Sequence, residues 1–146
     1  MYHALEIPTV VLVEDSDEDA DTVETAFVRS GVTATLRRVA SGDACITLLK
    51  TLGRTLPALV VMDLNTPGMD GRQALRFIKS DSLLKAIPVV ISSTSASPQD
   101  RDFCYAAGAN AYHVKPIRYP DHLQAVEALL QYWLVEVALP AAGRTR

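Results

Sequence analysis

The chain has 146 residues, 49% hydrophobic and 21% charged, with a formal net charge of −3. That length suits a single domain with one sizeable core, and the charge balance leaves no footprint for nucleic acid. No apolar stretch reaches the roughly 18–20 residues that a bilayer span requires, and no signal-peptide pattern opens the chain. Cys45 and Cys104 lack metal-ligand spacing and read as reduced packing residues of a cytoplasmic protein.

Short apolar strands alternate with amphipathic helices. Strand one is expected over about 9–14, and helix one over about 17–29, capped by Asp15 or Ser16 and closed by Gly31. Strand two (about 33–39) alternates like a half-exposed edge and carries the pair Arg37-Arg38; helix two covers about 42–53. Strand three (about 58–62) is wholly apolar, and helix three runs from Asp70-Gly71 to near Ser80. Strand four (about 88–92), helix four (about 98–107), strand five (about 111–114) and helix five (about 119–137, stopped by Pro140) complete the chain. Five βα units imply a flavodoxin-like, doubly wound parallel sheet of order 2-1-3-4-5, its switch point between strands one and three. The expected core spans about 8–137 within a single domain of 1–146, with a short tail over 138–146.

Chemistry gathers at the carboxyl ends of these strands. Glu14-Asp15 ends strand one, Asp63 ends strand three, Ser93 follows strand four and Lys115-Pro116 follows strand five. Neighbouring parallel strands lie about 4.8 Å apart, so Asp15 and Asp63 can share one cation. Like-charge crowding of this kind needs a cation or a proton, and an oxygen-only site suits Mg²⁺. With Asp63 as nucleophile, an acyl phosphate there would have Mg²⁺ on one oxygen, Lys115 on a second and the Ser93 hydroxyl on a third. Asp17, Glu18 and Asp19 read as helix capping and little more. The Lys115–Pro116 bond is a candidate cis peptide.

Four segments carry a resemblance: Val13-Glu14-Asp15, Met62-Asp63-Leu64-Asn65-Thr66-Pro67-Gly68-Met69-Asp70-Gly71, Ile87-Pro88-Val89-Val90-Ile91-Ser92-Ser93, and Ala107-Gly108 through Lys115-Pro116. In order and spacing they resemble the receiver domain of two-component response regulators. The resemblance implies that Asp63 takes phosphate from a histidine kinase and that Glu14 and Asp15 form the acidic pair. It also implies that Asn65 lends its backbone carbonyl to Mg²⁺, Ser93 is the switch hydroxyl, Lys115 binds phosphate and Tyr112 is the aromatic that swings inward. Two departures stand out. Glu14 occupies a place where Asp is commoner, which shifts its metal contact toward a bridging water. Thr94 follows the switch hydroxyl where a small residue is usual.

Helix five has two apolar stripes at about 100° per residue. Leu123, Val126, Leu130, Leu134 and Val137 face the sheet; Ala125, Ala128, Leu129, Tyr132 and Val135 form a second face, with Trp133 between the two. The second face reads as a partner surface, most simply a twofold homodimer using Leu129, Tyr132 and Val135. The segment Gln131 to Ala142 resembles the ending of single-domain response regulators paired with bacterial phytochromes, whose dimers use the fourth and fifth units. The expected kinase is therefore a phytochrome-type photoreceptor, with output by contact or by relay to a histidine phosphotransfer protein, and no output domain. The alternative is a phosphorylation-independent interaction module. A phosphohydrolase reading is weak, because Asp63-Leu64-Asn65 has no general-acid carboxylate two positions on. His3, His113 and His122 are given no role as phosphate carriers.

Overall fold

Val10–Val13 and Leu59–Met62 have no solvated side, and such strands need partners at both edges and cover on both faces. The computed structural model describes residues 7–140, so His3 and the last six residues of the expected tail lie outside it. Strands β1 (Thr9–Val13), β2 (Thr35–Val39), β3 (Leu59–Met62), β4 (Val89–Ser93) and β5 (Ala111–Val114) form one parallel sheet in the order β2-β1-β3-β4-β5. Helices α1 (Asp17–Ser30), α2 (Gly42–Leu52), α3 (Gly71–Ser80), α4 (Pro98–Ala106) and α5 (Tyr119–Gln131) connect and flank it. The expected doubly wound fold and strand order are therefore present.

Alternation along each strand divides the core in two. Val10, Leu12, Leu59 and Val61 pack with Val23, Leu123, Val126 and Leu130 beneath α1 and α5. Val11, Val13, Val60 and Met62 pack with Leu49, Leu75, Ile78 and Cys104 beneath α2, α3 and α4. Each fully buried aliphatic side chain contributes about 1.5–3 kcal/mol, so both layers are needed to hold the sheet rigid.

Two boundaries differ from expectation by more than one residue, and one short turn is additional. β2 starts at Thr35, two residues late, because its ladder begins where the Thr35 N–H reaches the Pro8 carbonyl at 2.8 Å. The last helix is α-helical only to Gln131; Tyr132–Glu136 continue as a π-helical turn, with the Val137 N–H bonded to the Tyr132 carbonyl at 3.0 Å. A 3₁₀ turn at Leu84–Ala86 precedes β4. No cis peptide occurs among the described residues, so the Lys115–Pro116 bond is trans.

The ladder itself delivers the polar strand ends. Val13 pairs with Val39 on one side and Met62 on the other, and Met62 pairs with Ile91. One residue further on, Glu14 N–H donates to the Val39 carbonyl at 3.0 Å and Asp63 N–H to the Val13 carbonyl at 3.0 Å. Lys115 N–H reaches the Ser93 carbonyl at 2.7 Å.

Candidate functional site

Three strand ends and one helix start converge on the Lys115 ammonium. Its Nζ donates to Glu14 Oε1 at 2.6 Å, to Asp19 Oδ2 at 2.8 Å and to Asp63 Oδ2 at 3.0 Å. An ammonium has three donors, and here all three meet carboxylates. Glu14, Asp63 and Lys115 are buried, while Asp15 stays exposed at the rim. Burying a lone ammonium is strongly unfavourable, so this pairing is what allows Lys115 to sit at 7% exposure.

Asp63 is held at both oxygens. Oδ2 takes the lysine and Oδ1 accepts the Asn65 N–H at 3.1 Å, the local turn expected of an Asp at a loop start. Beneath this turn, the Gly71 N–H donates to the Leu64 carbonyl at 2.9 Å, and Asp70 and Gln73 form a reciprocal capping box at the start of α3. The 66–70 loop is pinned from the side by α2: Gly42 N–H bonds the Met69 carbonyl at 3.0 Å, and Asp43 accepts the Met69 N–H at 3.0 Å.

Carboxylate oxygens of Glu14, Asp15 and Asp63 lie within 4.8 Å of one another. An oxygen-only set of this charge, open at Asp15, fits a hard divalent cation that keeps part of its water shell. Burial pushes the Glu14 carboxyl up to about 7, against the pull of Lys115, while the Glu14 Oε2 accepts the Ser16 N–H at 3.2 Å. Burial also works against the charge on Lys115, but the hydrogen bonds to Asp19 and Glu14 outweigh it and raise the lysine's pKa.

Ser93 is completely buried, and its hydroxyl accepts the Ser95 N–H at 3.1 Å. Tyr112 is half-buried, and its hydroxyl donates to the Ser95 carbonyl at 2.8 Å. The aromatic is thus hooked to the loop that follows Ser93. Thr94, between Ser93 and Ser95, is exposed.

Sequence reasoning missed Asp19. Its acidic first turn is explained by capping alone, since the Ser16 hydroxyl accepts the Asp19 N–H at 3.2 Å, and nothing local signals a lysine 96 residues away. It also misplaced Leu129, which is 4% exposed and belongs to the core beneath α1 and α5. Leu129 sits beside Ala111 and His113 of β5, so the edge of the sheet covers part of the second apolar stripe. On the other flank of α5, α1 lies alongside, joined by an Arg29–Glu127 ion pair at 3.2 Å. Tyr132 and Val135 remain 54% and 55% exposed. Trp133 packs on the core and meets the Tyr132 ring edge-to-face at 5.4 Å.

Comparisons with known proteins agree with this geometry. Residues 10–127 match the family model described as the response regulator receiver domain. "Probable methanogenesis regulatory protein FilR2" of Methanothrix harundinacea is 37% identical over 128 residues, covering 86% of this chain and 83% of its own. Response regulator Rcp1 of Synechocystis sp. is 34% identical over 137 residues, covering 91% of this chain and 93% of its own. The solved structure of the phosphorylated cyanobacterial phytochrome response regulator RcpA superposes with a TM-score of 0.88 at 32% identity, covering 92% of this chain and 99% of that one. The Mn²⁺-bound form of Rcp1 superposes at 0.87 with 33% identity and the same coverage. The strand order, the carboxylates and lysine at its carboxyl edge, and a family match spanning all but the chain ends make this chain a member of the response regulator receiver family of two-component signalling.

Proposed function

We propose that the chain acts as a phosphoacceptor switch in which Asp63 takes a phosphoryl group from a sensor histidine kinase. The observation that carries this is the Lys115 ammonium, 3.0 Å from Asp63 Oδ2 at the edge of three clustered carboxylates. An Asp63 oxygen attacks phosphorus as the bond to the donor nitrogen breaks, giving an acyl phosphate on Asp63 and a neutral donor imidazole. Attack by water at phosphorus later returns the carboxylate and inorganic phosphate. Lys115 balances charge on the transferred group, and the Ser93 hydroxyl and Tyr112 follow it inward. Mg²⁺, held by Glu14, Asp15, Asp63 and the Asn65 carbonyl, would supply further charge neutralisation. Support for a metal of this class comes from the carboxylate cluster and from the Mn²⁺ that Rcp1 binds.

A phytochrome-type kinase is the partner best supported, because RcpA is itself a phytochrome response regulator. No helix among the described residues is long and apolar enough to cross a membrane, which suits a cytoplasmic role. Output is by protein contact, through a homodimer over the fourth and fifth βα units or through relay to a histidine phosphotransfer protein. Tyr132 and Val135, with Val114 at 43% exposure, supply the apolar surface for that dimer. Tyr132→Arg with Val135→Asp should leave a folded protein that runs at monomer mass by light scattering.

The deciding experiment is phosphate incorporation from a small phosphodonor with and without Mg²⁺, in the wild type and Asp63→Asn. Mg²⁺-dependent labelling that disappears in the variant is expected. A folded wild type that takes no label would instead favour a phosphorylation-independent interaction module.

A further inference from the structure

In this structure the ammonium of Lys115 and the cation site draw on the same carboxylates. Two of the three carboxylates that hold the lysine, Glu14 and Asp63, belong to the cluster suited to a divalent cation. A cation that takes those carboxylates must compete with a buried positive charge, and it repels that charge once bound. The ammonium cannot simply be released, because stranding a buried charge without a partner is strongly unfavourable. Asp19 is the third partner, 2.8 Å from Nζ, and it is not part of the carboxylate cluster. It projects from the first turn of α1, is 28% exposed at its side chain, and is fixed at its backbone by the Ser16 cap. The lysine therefore has one counter-ion that the cation does not need.

We propose that Asp19 is a positioning residue for Lys115: it holds the ammonium when a divalent cation takes Glu14 and Asp63, and so lets cation and lysine occupy the site together. This inference rests on the phosphoacceptor reading, since it concerns how that site loads. Without Asp19 the lysine has only Glu14 and Asp63 to pair with, and it becomes a stronger competitor for both. With Asp19 the ammonium withdraws a short way and stays beside Asp63, where a phosphoryl group would arrive.

The test is a double-mutant cycle on Mg²⁺ affinity, measured by titration calorimetry on unphosphorylated protein. Asp19→Asn, with Asp19→Ser as a second variant in case one fails to fold, should weaken Mg²⁺ binding about tenfold. Asp19→Glu, which keeps the charge, should recover most of that loss. In a Lys115→Ala background the same Asp19→Asn change should cost at most about threefold, the residue left by the lost negative charge alone. Equal losses in both backgrounds would mean Asp19 acts only through its field, and would overturn the proposal, as would unchanged affinity for Asp19→Asn in the protein that keeps Lys115. A wild type that neither binds Mg²⁺ nor takes label at Asp63 would remove the phosphoacceptor reading itself, and this inference with it.

Discussion

Gly71 has no room for a side chain. A Cβ there would collide with the Asp63 carbonyl oxygen and lie 2.8 Å from the Leu64 Cα, both backbone atoms that cannot swing aside. Its N–H already holds the Leu64 carbonyl at 2.9 Å, so the start of α3 is pressed directly under the turn that carries Asp63. Gly71→Ala should lower stability by about 1–3 kcal/mol, the usual cost of forcing an extra methyl into a packed site. It should also slow phosphodonor labelling of Asp63 by more than the unfolded fraction explains, because the carboxylate is displaced from Lys115. Thermal melts and labelling time courses on the same samples separate the two effects, and a stable variant labelled at the wild-type rate would refute the argument. At this scale much of the site was legible in the sequence, because Glu14, Asp63 and Lys115 each end an apolar run. Asp19 was not, because a helix cap accounts for it without any reference to the rest of the fold.

At the scale of elements, the β4–α4 loop is braced by a chain of side chains. Tyr112 on β5 donates to the Ser95 carbonyl, the Ser95 hydroxyl donates to Asp100 Oδ2 at 2.6 Å, and Arg72 on α3 reaches Asp100 Oδ1 at 2.6 Å. Hydrogen bonds from Ser95 and then Arg72 hold the Asp100 carboxyl below its ordinary value, so the brace is intact at neutral pH and weakens only in acid. Asp100→Ala should cost about 0.5–1.5 kcal/mol in denaturant unfolding at neutral pH. Part of that loss should vanish in a Tyr112→Phe background, since both changes release the same loop; strict additivity would show that the aromatic and the brace are independent. None of this network could be drawn from the sequence, which supplies the residue types but not the crossing of α3, α4 and β5. The elements themselves were readable because strand and helix periods differ sharply. The end of α5 was not, because a π-helical turn has no distinct apolar period, and Leu129 was misassigned because a helical wheel does not say how far the β5 edge reaches round the helix.

Across the whole molecule, buried titrating groups tilt stability with pH in opposing directions. Burial lowers the pKa of both His113 and His122 from the ordinary 6.5. His122, on the first turns of α5, sits near Asp19, which raises its pKa, and Lys115, which lowers it, and its Nε2 is buried with no partner among the described residues. A histidine with a depressed folded pKa contributes stability that is complete above about 6.5 and is lost as pH falls, because the unfolded chain takes the proton more readily. Glu14 runs the other way. Its carboxyl is raised from 4.5 to about 7, so its contribution is complete below 4.5 and is lost as pH rises toward 7. The two slopes overlap, and the wild-type profile alone cannot separate them. The difference between wild type and His122→Leu can, because Glu14 is present in both. His122→Leu should be at least as stable as wild type at pH 7.5, since it removes a buried nitrogen with no hydrogen-bond partner among the described residues. Its advantage should then grow as pH falls below about 6.5, by up to about 1.4 kcal/mol per pH unit, the limit for one proton. Unfolding free energies at pH 7.5, 6.5 and 5.5 decide it: a constant difference across the three would mean that His122 does not titrate with folding, and that Glu14 and His113 alone shape the profile.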